Sequence, residues 1–255
     1  MTHAPLFDLL EVRGPDALAF LQAQLAADLN PMADGDWRWS ALLSAQGRVL
    51  HVLGVWRVAA DHWRLLVPFA RGAELGAALG RMVFRRKVRI EVDASQTLGH
   101  DVDGLDCGVA GLRVALVACA DPRALAAPAL DEFARAGLAL IDATASGRQL
   151  AHSLQLDRFA AFSVGKGCYP GQEIVARTHF LGRNKRALVL LEAAPGARWN
   201  AADAVSDAGA ELGEIVLAGP SLALAVLGGV PSASHLQVGT DGVHAAVLRV
   251  YAPLT

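Results

Sequence analysis

The sequence predicts an α+β fold that ends in a small all-β lobe. Three observations predict it: a helical apolar repeat near the start, strand-like apolar runs cut by turn residues over most of the chain, and little helical periodicity after Lys185. With 255 residues, 53% of them hydrophobic, and a mean hydropathy of +0.34, the chain has ample apolar surface for a core. The length suits two lobes, an α+β lobe of two subdomains over 1–182 and an all-β, barrel-like lobe over 183–255.

Gly14-Pro15-Asp16 is a helix-start signal, and Leu18, Leu21 and Leu25 recur at helical spacing, so 15–27 reads as a helix. Segments 39–44, 48–59 and 63–68 are rich in Leu, Val and Trp. Gln46-Gly47 and Asp61-His62 punctuate them, as antiparallel strands require. A helix over 70–84 and a strand over 87–92 follow, then a strand over 112–119 that holds Cys119. Asp121-Pro122 opens a helical stretch to 135 that Pro128 should interrupt, and 144–158 and 171–181 also read as helical. Segments 186–191, 211–217, 222–227 and 243–251 are strands between Gly, Pro and Ser turns.

Several function classes are excluded. Cysteines at 107, 119 and 168 make an odd, unpaired set, which points to a reducing compartment and the cytoplasm. The first five residues lack a cationic stretch leading into an apolar core. The charge-free stretch 215–240 is cut by Gly219-Pro220-Ser221, Gly228-Gly229 and Pro231 into pieces too short to cross a bilayer, so no membrane partner is expected. Asp101-Val102-Asp103-Gly104-Leu105-Asp106 resembles the start of a calcium loop but lacks the closing glutamate, and it reads as a surface turn. The histidines have no metal-ligand spacing, so no metal site is expected, and Gly-rich phosphate loops are absent.

The formal net charge of −2 conceals two basic segments. Arg158, Lys166, Arg177, Arg183, Lys185 and Arg186 share their stretch with one acid, Glu173. Arg81, Arg85, Arg86, Lys87 and Arg89 share theirs with none. Clustering of this kind suits a local anionic ligand better than a generally basic surface.

The chemistry concentrates in Lys166-Gly167-Cys168-Tyr169-Pro170-Gly171-Gln172-Glu173. Pro170-Gly171 is a turn, after which 172–178 can form a helix with Glu173 and Arg177 one turn apart. Cys168 then lies near a helix N-terminus, where free N–H groups favour an anion and Lys166 adds positive charge. A more ionised thiol is a better nucleophile. Cys107 and Cys119 read as structural, since most free cysteines behave as small buried hydrophobes.

At these residues the sequence resembles the YgfZ family, folate-binding relatives of the glycine-cleavage T-protein, an aminomethyltransferase. The octapeptide, Arg177 and the run Leu181-Gly182-Arg183-Asn184-Lys185-Arg186 carry the resemblance. Phe20-Leu21-Gln22-Ala23-Gln24, Ala45-Gln46-Gly47-Arg48, Val83-Phe84-Arg85-Arg86-Lys87 and Leu154-Gln155-Leu156-Asp157 extend it. The resemblance implies a T-protein-like fold of mixed α/β subdomains around a central channel, with a C-terminal β-barrel-like lobe. It implies tetrahydrofolate or a derivative as cofactor and transient iron–sulfur client enzymes as partners, tRNA-thiolating ones among them, with Cys168 as the functional thiol.

By the same analogy Asp157 takes the place of a glutamate that grips the pterin edge, a task that suits a carboxylate accepting two parallel N–H bonds. The resemblance also assigns Gln22, Arg48, Lys166, Tyr169, Gln172, Glu173 and Arg177 to folate binding. Where the T-protein has paired aspartates this chain has His51-Val52, so aminomethyl transfer is not expected. Folate-dependent one-carbon transfer and direct tRNA binding through the two basic segments are the alternatives.

Overall fold

The computed structural model describes residues 4–109, 112–182, 185–194, 197–239 and 243–251. The first unit contains β1 (Phe7–Arg13), α1 (Ala17–Gln24), β2 (Trp37–Leu43), β3 (Val49–Ala59), β4 (His62–Pro68), α2 (Gly72–Gly80) and β5 (Arg89–Asp93). Its strands form one sheet in the order β2-β3-β4-β1-β5, with every neighbouring pair antiparallel.

Both faces of the sheet are buried over its central strands, while edge strand β5 stays largely exposed. Leu10, Val12, Leu53, Val55, Leu65 and Val67 pack against Phe20 and Leu21 of α1 and Leu75 and Leu79 of α2. The opposite face, with Phe7, Leu9, Trp39, Ala41, Val52 and Leu66, enters the central core. Successive strand residues point to opposite faces, so a strand buried on both sides reads as a continuous apolar run.

A long hairpin, β6 (Gln96–Val109) and β7 (Leu112–Ala118), lies over the second face through Leu98, Cys107, Val109, Leu112 and Val114. Its register shifts between His100 and Leu105, which places the Asp-rich run expected as a surface turn inside an irregular strand. Phe133 of α3 (Leu130–Ala136) wedges edge-on between Phe7 and Trp39, each ring centroid 5.9 Å away. α4 (Gln172–Leu181) follows the cysteine loop.

The C-terminal lobe is a closed barrel of β8 (Ala187–Ala193), β9 (Ala204–Asp207), β10 (Ala210–Ala218), β11 (Leu222–Leu227), β12 (His235–Val238) and β13 (Val243–Tyr251). Its strand order is β10-β11-β8-β13-β12-β9. Val189, Leu191, Val205, Ile215, Ala225 and Leu236 fill its interior, while Leu188, Leu190, Leu222, Leu224 and Val226 face outward into the central core. The barrel is tied to α3 by Asp131, whose Oδ1 accepts from the N–H groups of Ser221 (3.2 Å) and Leu222 (3.0 Å). Tyr251 Oη lies 3.0 Å and 2.6 Å from the carbonyls of Ala134 and Arg135. No helix among the described residues is long and apolar enough to cross a membrane.

Three expectations are corrected. Segment 144–158 is not a helix. It runs in turns beside β3, where Val49 N–H donates to Gln149 (2.9 Å) and Gly147 N–H to Val49 (2.8 Å), and only Leu156–Phe159 close into a 3-10 turn. Segment 121–135 is helical only from Ala127 onward, as a 3-10 turn and then α3. Cys119 lies one residue beyond β7, in a turn where its Sγ is 3.3 Å from the Ala94 carbonyl. Strands β1, β6, β9 and β12 were not expected. Arg183 and Asn184 lie outside the described residues.

Candidate functional site

Cys168 is exposed, between Gly167 at φ +99° and the buried Tyr169. Its loop is held from both sides. Gly171, at φ +78° ahead of α4, lies so close to the β2–β3 turn that a Cβ on it would stand 2.5 Å from the Ser44 carbonyl oxygen. On the other side Ser163 N–H donates to Ala26 (2.9 Å), and Lys166 Nζ donates to the carbonyls of Leu25 (2.5 Å) and Ala27 (2.6 Å).

Several residues assigned to ligand binding are engaged within the protein. Desolvation brings the Lys166 ammonium down to about 8, against the opposing pull of Asp28, and the group lies 5.2 Å from the Tyr169 ring centroid. Tyr169 Oη donates to Ser163 (2.9 Å), and burial pushes its hydroxyl up to about 12. Gln22 donates to Asp28 Oδ1 and accepts from Leu29 N–H, both at 2.8 Å, which fixes the chain after α1. Of the residues on α4, Glu173 and Arg177 are exposed, Gln172 is half-buried, and no ion pair joins Glu173 to Arg177.

Asp157 lies elsewhere, half-buried on the wall of a cleft of about 490 Å³. Trp37, Arg38 and Trp39 of β2, the hairpin residues Asp106 to Gly108, and Arg158 to Ala160 line the rest, and Cys168 is not among them. Trp37 and Trp39 meet edge-on at 5.4 Å. The Trp37 indole lies across Gly54 of β3, where any side chain would collide with it. Trp39 Nε1 donates to the Cys107 carbonyl (2.6 Å), which ties the hairpin to the sheet. Cys107 itself is buried, and desolvation pushes its thiol up to about 11. Arg158 stacks on Tyr251, 4.6 Å from the ring centroid. The aromatic lining of this cleft was missed in the sequence, although Trp-x-Trp on one strand places two indoles on the same face.

Arg48 lines a separate polar cleft of about 450 Å³ with Arg148, Gln149, Arg186, Glu211 and Glu214. Its Nη1 donates to the Arg148 carbonyl (2.5 Å), while Arg148 and Gln149 both hold Glu214 across the barrel junction. His51 is buried beside Arg71 and Glu74. Desolvation, then Arg71, brings its imidazole down to about 4. Arg71 grips Glu74 through two 2.7 Å bonds and donates to the carbonyls of Leu50, Ile141 and Asp142. Among the described residues no group of three or more His, Cys, Asp or Glu could hold a metal ion.

No known family profile matches the chain. A stretch of 79 residues, 31% of this chain, is 43% identical to the tRNA-modifying protein YgfZ of Serratia proteamaculans, and the match spans 23% of that protein's length. The crystal structure of the glycine cleavage system aminomethyltransferase T from Bartonella henselae superposes with a TM-score of 0.65 at 15% identity, over 96% of this chain and 86% of that one. The chain is thus homologous to YgfZ over that stretch and shares the fold of the aminomethyltransferase T-protein.

Proposed function

We propose that the chain is a tetrahydrofolate-binding accessory protein that works in the cytoplasm. It supports assembly or repair of iron–sulfur enzymes, tRNA-thiolating ones among them, through the Cys168 thiol. The likeness to a tRNA-modifying protein and to the T-protein fold supports this reading. The observation that carries it is the position of Asp157 on the wall of a cleft with two tryptophans.

The lining suits a folate. A carboxylate can accept two N–H bonds from an aminopyrimidinone edge, and Trp37 and Phe159 add aromatic surface to the lining of the same cleft. Arg38 supplies a cation for a carboxylate tail, and about 490 Å³ falls within the ordinary range of small-molecule pockets. A reduced folate held there would supply a one-carbon carrier. Because Cys168 faces solvent outside the cleft, its thiol meets a client protein, while Lys166, Tyr169 and Gln22 shape the loop that presents it. One-carbon transfer is disfavoured by His51, a buried imidazole held neutral where the T-protein has carboxylates.

Calorimetric titration with tetrahydrofolate tests the proposal. Asp157→Ala should weaken binding roughly ten- to a hundredfold, as loss of a charged hydrogen-bond acceptor does, while Cys168→Ala should bind as the unaltered protein does. An unaltered protein that gives no binding heat sinks the folate reading. In cells lacking the protein, Cys168→Ala should fail to restore iron–sulfur thiolation enzymes, and full restoration would remove the thiol from the proposal.

A further inference from the structure

We propose that the turn between α2 and β5 is a docking point for an anionic lipid surface, with Met82 and Phe84 entering the apolar layer and the flanking cations meeting headgroup phosphates. Phe84 is 93% exposed and Met82 54%, while Val83 between them turns inward against the sheet core. Two exposed apolar side chains thus flank one inward-facing residue within a single turn.

The turn is preformed. Phe84 sits at φ +54°, in the left-handed region that residues with a side chain rarely adopt. The turn is closed by Arg86 N–H donating to Val83 (3.0 Å) and fixed to the helix α1 entry by Lys87 N–H donating to Asp16 Oδ2 (2.7 Å). An outlier of this kind at an exposed aromatic motivates a functional reading.

The charges agree. No acid occurs over 75–90, and none of Arg81, Arg85, Arg86 and Lys87 forms an ion pair among the described residues. The neighbouring Arg13 and Arg89 do pair, with Glu11 and Glu91. A nucleic acid would use the cations and one ring but leave Met82 without a role. A bilayer offers an apolar phase beneath a layer of phosphate and accommodates both side chains and the charges. The contact is peripheral and reversible, since one turn inserts little apolar surface, and it departs from the expectation of no membrane partner, which rested only on the lack of a spanning stretch.

The test is sedimentation of the full chain with vesicles of phosphatidylcholine alone and of phosphatidylcholine mixed equally with phosphatidylglycerol. Binding is expected to the anionic vesicles and to decline as salt screens the charges. Met82→Ala with Phe84→Ala should lower the partition coefficient roughly tenfold, and Arg85→Gln about fivefold, with melting temperatures unchanged. No binding to anionic vesicles at low salt overturns the proposal, as does binding indifferent to the Met82 and Phe84 changes. Tighter binding to a single-stranded oligoribonucleotide, lost with Phe84→Ala, would assign the turn to nucleic acid instead. Folate titration is independent of this turn, so either proposal can fail alone.

Discussion

Gly171 rests on Gly47 so closely that a Cβ on Gly171 would stand 2.7 Å from the Gly47 Cα. This backbone contact joins the start of α4 to the β2–β3 turn, and the loop carrying Cys168 is shaped between it and the Lys166 clamp. Gly171→Ala should therefore destabilise the protein by about 2–4 kcal/mol, from a left-handed φ plus overpacking. Urea unfolding measures this, and a loss below about 0.5 kcal/mol, the range of ordinary surface changes, would mean that the contact yields freely.

Thiol labelling should separate the three cysteines. Cys168 is exposed, Cys119 half-buried and Cys107 buried beneath the hairpin. Under native conditions Cys168 should alkylate first, Cys119 more slowly and Cys107 only on unfolding, read by mass spectrometry of labelled peptides. Prompt native labelling of Cys107 would contradict the packing of Trp39 onto its carbonyl.

Acid should weaken the fold through His51. Unfolded, this imidazole takes up a proton near pH 6.5; folded, it resists until about pH 4. The unfolded chain binds the extra proton across that window, so stability is whole above about pH 6.5 and falls as pH drops toward 4, by up to about 3 kcal/mol. His51→Gln should flatten that slope in urea melts at a series of pH values. An unchanged slope would place the acid sensitivity elsewhere.

The barrel junction can be probed at Tyr251, whose hydroxyl reaches the carbonyls that end α3. Tyr251→Phe should cost about 1 kcal/mol, the usual net worth of a buried hydrogen bond. Thermal unfolding checks it, and a neutral result would mean that the hydroxyl contributes nothing beyond the β8 pairing and the Arg158 stacking that already hold Tyr251.

Much of the architecture was legible because its apolar runs are long. Segments 222–227 and 243–251 coincide with β11 and β13, since turn residues bound each of them. Segment 144–158 misled because residues 147–150 pair with the start of β3, about a hundred residues earlier, and the rest closes in separate turns; no local pattern records the distant partner. β6 was hidden by aspartates that sit where its register shifts. At the candidate site, the glycines announced a shaped loop around Cys168. That Lys166 would spend its ammonium on the Leu25 and Ala27 carbonyls was not readable, because those acceptors carry no side-chain signature.

The barrel closes unevenly. Among the described residues β12 meets β9 through two residue pairs, Gln237 with Ser206 and Val238 with Val205, followed by a bond from Gly239 N–H to Ala204 (2.9 Å), whereas β11 and β8 share six pairs. Breathing of the lobe should start at this narrow seam, so amide protons there should exchange with solvent deuterium long before those of the β11 interior. Any event that pries the C-terminal lobe open without melting the rest would enter by that route.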